Sequence, residues 1–266
     1  VGDPPMTSLA DMAKSQSAVK LLLLGNSGVG KTGSIATLAK SYRIMLADFE
    51  AGYDILLDKT VLPTELRKNV FVKSFVDKRT GPRAVPVGGA KAILQFHDAL
   101  MAWKEGEANF GSIYTWTDKD VLVLDSLTFF SKAAELHAQS LSNRAGQPLQ
   151  FQEYGAAQGI IEGILAMLYS DEVKCHVVVT GHLKATATDS GTKHVVQTSG
   201  KALDGVVQRY FNDVVLMTKE GFGAKTTRLI HTVSTMYADL KTSRPGSVPA
   251  TMEPDLDKLF TLLRAT

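Results

Sequence analysis

The chain has 266 residues, 44% of them hydrophobic, and a formal net charge of +2. That length and apolar share suit one large α/β domain with small appendages, and the near-neutral charge means any basic surface has to be local. The single cysteine, Cys175, excludes an intramolecular disulfide and a multi-cysteine zinc site and favours a reducing, cytoplasmic compartment. No apolar run approaches the roughly 18 residues of a membrane-spanning helix, so no membrane partner is expected.

Residues 1–17 are polar, lack the apolar stretch of a signal peptide, and are expected to form a mobile tail. Val19–Leu24 reads as a buried strand. It runs into Gly25, Asn26, Ser27, Gly28, Val29, Gly30, Lys31 and Thr32, which fit the pattern G-x-x-x-x-G-K-[ST] of nucleoside triphosphate-binding loops. Curling successive backbone N–H groups around phosphate oxygens needs the conformations glycine tolerates. A helix over Lys31–Ser41 would point its positive end at the same anion. Lys31 is predicted to reach the β/γ-phosphates of ATP, and the Thr32 hydroxyl to bind Mg²⁺. Arg43–Ala47 is a second buried strand, ending in Asp48-Phe49-Glu50 on the carboxyl edge where open α/β sheets bind ligands.

Val70–Val76 suits a third strand, Asp77–Gly89 a basic loop, and Val87–Glu105 a helix with Ala92, Ile93, Phe96, Leu100 and Trp103 on one face. Val121–Leu124 is a fourth strand closing on Asp125-Ser126. Apolar residues followed by Asp fit a Walker B carboxylate, placing Asp125 on Mg²⁺ beside Thr32. Leu127–Leu141 and Glu153–Tyr169 read as helices, joined by a polar loop containing Arg144. His176–Thr180 is a strand with Gly181-His182 at its end. Leu183–Ser199 suits either a hairpin or a mobile loop. Gly200–Tyr210 suits a helix, and Asp213–Thr218, Thr226–Thr232 and Met236–Leu240 read as strands of an antiparallel extension. Leu256, Leu259, Phe260, Leu262 and Leu263 mark a short terminal helix over Pro254–Arg264. Strands alternating with helices, then a run of strands, predict a mostly parallel central sheet with an antiparallel C-terminal extension.

This order of parts resembles the RecA-like recombinase core of P-loop ATPases, and within it the small core-only ATPases of phages that act in single-strand annealing. The telling stretch is Ile44–Leu56, IMLADFEAGYDIL, in which Asp48 and Glu50 match the family's Asp-x-Glu after the second strand. The resemblance implies that Glu50 serves as base for the attacking water and that the strand end at His182 senses the γ-phosphate, with His in place of the usual Gln. It places a DNA-binding loop at Leu183–Ser199, with Lys184, Lys193, His194 and Lys201 as candidate contacts to single-stranded DNA and Arg144 as a weaker one. It also makes Lys241 and Arg244 candidate fingers toward a neighbour's nucleotide in a ring or filament. The implied organisation is a tail at 1–17, an ATPase core at 18–245 and a C-terminal loop and helix at 246–266. The implied function is a slow, Mg²⁺-dependent ATPase acting on single-stranded DNA in the cytoplasm of a bacterium or phage-infected host, with a single-strand-binding protein as a further partner. Two alternatives stand beside it: a nucleotide-dependent assembly or switch protein without DNA binding, and a small-molecule kinase.

Overall fold

The computed structural model describes residues 18–188, 191–221 and 223–265, so the expected tail at 1–17 lies outside the described residues. Strand β1 (Lys20–Leu24) sets the architecture. Leu21, Leu22, Leu23 and Leu24 are all fully buried, with Leu22 and Leu24 in one apolar cluster and Leu21 and Leu23 in the other. Successive side chains of a strand point to opposite faces, so a strand apolar at every position has to be covered on both.

The remaining strands are β2 (Arg43–Asp48), β3 (Val70–Ser74), β4 (Arg79–Thr80), β5 (Val85–Pro86), β6 (Trp103–Glu105), β7 (Ala108–Gly111), β8 (Asp120–Asp125), β9 (His176–Gly181), β10 (Leu183–Thr188), β11 (Gly191–Val196), β12 (Asp213–Glu220), β13 (Thr227–His231) and β14 (Thr251–Met252). The central sheet has eight strands in the order β14-β13-β12-β1-β9-β8-β2-β3. Pairing is parallel from β12 to β3 and antiparallel from β12 through β13 to β14. Helices α2 (Ala92–Met101), α3 (Leu127–Leu141) and α4 (Phe151–Tyr169) cover one face, and α1 (Lys31–Ile35) and α5 (Leu256–Arg264) cover the other. This is the predicted arrangement, a mostly parallel sheet between helices with an antiparallel extension. Met252, Leu256, Leu259 and Phe260 are buried in the same core as β1, so the C-terminal segment packs on the domain. No helix among the described residues is long and apolar enough to cross a membrane.

Several expected elements differ, each for a local reason. The helix after the phosphate loop is α-helical only to Ile35 and continues as a 3₁₀ turn to Lys40, where the Ser34 and Thr37 hydroxyls bond back to main-chain carbonyls. The helix expected to Glu105 stops at Met101. Trp103 instead begins a hairpin with β7, turning at Gly106 (φ 57°), and stays fully buried. Helix α4 starts two residues early because Gln150 and Glu153 form a reciprocal capping box. Gly200–Tyr210 is not a helix. Gly200 (φ 67°) and Gly205 (φ 72°) take left-handed conformations that interrupt it, leaving one 3₁₀ turn at Val207–Tyr210. Met236–Leu240 is not a strand. The Ser234 hydroxyl bonds both main-chain groups of Leu240, and the Thr235 hydroxyl accepts from Tyr237 and Ala238, folding the segment into a compact turn.

At the opposite end of the sheet from the phosphate loop, His176 is fully buried. Its Nδ1 accepts from the Val19 N–H at 2.9 Å and its Nε2 faces the Asp118 carbonyl at 3.1 Å, which suits one neutral tautomer. Burial, reinforced by Arg264, pulls its pKa from 6.5 to about 4. The unfolded chain therefore binds a proton before the folded one does. Stability is full above pH 6.5 and falls as the pH drops toward 4. Urea unfolding at pH 7 and pH 5 is expected to show a loss of about 2 kcal/mol from this group, and His176→Gln should remove most of that difference. An equal loss in the variant contradicts the assignment.

Candidate nucleotide site

The phosphate loop lies between β1 and α1. Gly28 (φ 75°) and Gly30 (φ 105°) occupy the left-handed region, turning the loop back on itself. A side chain at Gly25 would strike the Met217 carbonyl at 2.8 Å, so glycine is needed there for closeness as well. The Gly25 N–H donates to the Gly181 carbonyl at 3.1 Å, tying the start of the loop to the end of β9. Lys31 is 6% exposed, and its Nζ donates to the carbonyls of Gly25 (2.8 Å) and Asn26 (3.0 Å). Burial lowers its pKa, opposed by the charges of Asp125 and Glu50.

Asp125 closes β8 beneath this loop. Thr32 Oγ1 donates to its Oδ2 at 2.7 Å, and Thr180 Oγ1 donates to its Oδ1. Burial pushes this carboxyl upward, while the two hydroxyl donors pull it down. The Thr32 hydroxyl and the Asp125 carboxylate are hard oxygen ligands of the kind a divalent cation takes.

Glu50 follows β2. Asp48 Oδ1 accepts from the N–H groups of Glu50 (3.1 Å) and Gly52 (3.3 Å), so the first acid of the DFE stretch shapes the turn that presents the second. Ala51 completes that turn at φ 58°, a conformation that costs a non-glycine residue roughly 1–2 kcal/mol. Glu50 Oε2 accepts from Ser126 Oγ at 3.2 Å and meets His182 Nε2 at 3.1 Å. The hydrogen bond from His182 is the main reason the Glu50 carboxyl lies below the usual range. The His182 N–H donates to Thr128 Oγ1 at 3.1 Å, and Thr128 Oγ1 donates to the Gln197 carbonyl at 3.0 Å. Gln197 in turn donates its N–H to the His182 carbonyl at 2.7 Å.

Lys31, Thr32, Glu50, Asp125 and His182 thus line one cavity of about 460 Å³ with Gly28 and Gly30. The other predicted residues lie outside it. Leu183–Ser199 is a hairpin, β10 against β11, with tip residues 189–190 outside the described residues. On it Lys184 pairs with Asp204 at 2.8 Å, Lys193 pairs with Asp239 at 2.8 Å, and His194 packs against Tyr237. Lys201 is exposed. Arg144 is held by Glu153 at 3.1 Å and by the Pro148 carbonyl, bracing the start of α4. Lys241 is exposed beside a bridge to Val214, whereas Arg244 Nε reaches the Leu263 carbonyl at 3.4 Å.

Sequence reading missed Thr180, Thr128 and Arg228. Thr180 and Thr128 enter because β9 lies beside β8 and α3 starts directly after it. Arg228 enters from β13 and lies over Gly30, where an added Cβ would stand 3.1 Å from its Nε. No local signal marks a strand residue that reaches a loop about 200 positions earlier through sheet order alone.

No family model and no curated protein matches the chain. Among solved structures, it is similar to the flagellar accessory protein FlaH from Methanocaldococcus jannaschii, at 12% identity and a TM-score of 0.42, over 87% of this chain and 83% of that one. It is also similar to a KaiC-like protein from the hyperthermophilic archaeon Pyrococcus horikoshii OT3, at 12% identity and a TM-score of 0.43, over 85% and 82%. The likeness concerns the backbone alone.

Thr180→Val removes one of the two hydroxyl donors to Asp125. A hydrogen bond to a charged group contributes about 1.5–3 kcal/mol, so the Mg²⁺ concentration needed for half-maximal ATP binding is expected to rise about tenfold. Titration with a fluorescent ATP analogue at graded Mg²⁺ measures this, and an unchanged requirement contradicts it.

Proposed function

We propose that the chain is a Mg²⁺-dependent ATPase whose nucleotide state controls a hairpin that contacts single-stranded DNA, in recombination or strand annealing of the phage type. The observation that carries the ATPase part is the convergence of Lys31, Thr32, Asp125 and Glu50 on one cavity beside the phosphate loop. Lys31 and the loop N–H groups hold the triphosphate. Thr32 and Asp125 hold Mg²⁺, which supplies positive charge to the phosphate oxygens when bound. Glu50 faces the same space. Its carboxylate is placed to orient the attacking water and take its proton. Ser126 and His182 fix its carboxylate.

Support for the DNA part comes from the path leading out of the site. His182 touches Glu50 with its side chain and the base of the hairpin with its backbone. A change at the γ-phosphate that moves Glu50 therefore bears on β10 and β11. Lys201 offers the most available cation near that base, and a neighbouring copy's Lys241 would suit completion of the site in an oligomer. A second reading, a nucleotide switch without DNA, is favoured by the internal ion pairs of Lys184 and Lys193, which leave less charge for phosphates.

Glu50→Gln keeps the shape of the site and removes the charge. ATP turnover is expected to fall by about 100-fold or more with ATP affinity nearly unchanged, and a parental rate removes Glu50 from the mechanism. For the DNA part, fluorescence anisotropy of an oligo-dT probe at low salt should show binding that depends on ATP. No affinity in the ATP-loaded state leaves the switch reading.

A further inference from the structure

Arg228 occupies an unusual electrostatic position. It lies on β13 directly opposite Lys219 of β12, and directly opposed residues of an antiparallel pair share a face. Met217 and Ile230 belong to the same face and are buried in the cluster that carries α1, so this face is the one toward the phosphate loop. Like charges opposed across strands destabilise the pair. Arg228 nevertheless has no ion-pair or hydrogen-bond partner among the described residues, and it lines the cavity that also holds the Lys31 ammonium. Its side chain runs across Gly30, with Cδ 3.2 Å and Nε 3.1 Å from the point a Cβ would take, and Met217 Cε lies 3.3 Å from the same point. A side chain at Gly30 would push the ends of Arg228 and Met217 aside by a few tenths of an ångström, and the φ of 105° favours glycine there in any case. Lys31 already faces the carboxylates of Asp125 and Glu50 in this cavity, so the Arg228 guanidinium on the far side of the loop is the cation left to meet an anion there.

Which part of that anion Arg228 meets follows from sheet order. Glu50, Asp125 and His182 come from the ends of β2, β8 and β9, all on one side of β1. Arg228 comes from β13, on the other side. The γ-phosphate belongs beside Glu50, the group placed to orient the water that attacks it. From these observations we infer that Arg228 is a ligand of the α/β-diphosphate portion of the nucleotide, supplied from the chain's own antiparallel extension, with Lys219 reinforcing the field behind it. A guanidinium fork matches phosphate oxygens in a way an ammonium does not, so Arg and Lys are not equivalent here. The inference rests on the nucleotide reading of the cavity. It makes the β12–β13 hairpin part of the binding site as well as the sheet's edge.

The test is equilibrium binding of fluorescent ADP and of a non-hydrolysable fluorescent ATP analogue to the wild-type chain, Arg228→Gln, Arg228→Lys and Lys219→Gln. Arg228→Gln is expected to weaken both nucleotides by about tenfold and by the same factor, Arg228→Lys to recover part of the loss, and Lys219→Gln to cost about threefold or less. The apo melting temperatures should agree closely, which separates lost binding from lost folding. Wild-type affinity in Arg228→Gln overturns the inference. So does a loss confined to the ATP analogue, because it places Arg228 on the γ-phosphate. If the wild-type chain binds neither nucleotide, the ATPase reading falls together with the inference. If it binds both and Arg228→Gln is unaffected, only the inference falls.

Discussion

The buried carboxylate of Asp125 is the constraint on which the site depends. It is 4% exposed and takes hydroxyl donors from two different elements, Thr32 at the start of α1 and Thr180 at the end of β9. Burying a carboxylate is costly unless it is paired or hydrogen-bonded, so the three chain segments are held in one relation to each other. Gly25, bonded to Gly181, locks the other end of the loop to the same strand. The phosphate loop is therefore anchored at its start to β9 and at its end to β8, whose Asp125 is itself held by Thr180 of β9.

That sheet order also explains the second tier of contacts. With β9 between β1 and β8, and β2 beyond β8, the ends of β2, β8 and β9 form a continuous ledge. Glu50, Ser126 and His182 meet on it. The Glu50–His182 contact is chemical, and the pairing of His182 with Gln197 through their main chains is structural. One residue thus belongs to the reactive end of the site and to the root of the β10–β11 hairpin. Few atoms need to move for the state of one to reach the other, which is the local requirement for a nucleotide-driven switch.

Much of this was legible in the chain. Four consecutive leucines read as a strand covered on both sides, and the glycine spacing after them as a tight strand-to-helix loop, which is where Gly28 and Gly30 take left-handed conformations. Asp125 and Glu50 were recognisable as acids closing apolar runs. Less accessible were features set by side chain-to-backbone bonds and by topology. Met236–Leu240 has the composition of a strand, but the Ser234 and Thr235 hydroxyls capture its main chain. Gly200–Tyr210 has helical apolar spacing, but two left-handed glycines divide it. Lysines read as free for nucleic acid, Lys184 and Lys193, have carboxylate partners at 2.8 Å that lie at least 20 residues away in the chain. Arg228 was invisible because its importance comes from lying over Gly30, a relation created only when β13 folds back along β12.

The central claim is that the Gly25–Thr32 loop binds a magnesium nucleotide. Isothermal titration of Mg²⁺-ATP into the wild-type chain and into Lys31→Ala addresses it most directly. The account predicts saturable binding at one site per chain in the wild type, dependent on Mg²⁺ and weakened by about tenfold or more in the variant. Equal binding by both proteins, or no binding by the wild type, would contradict it.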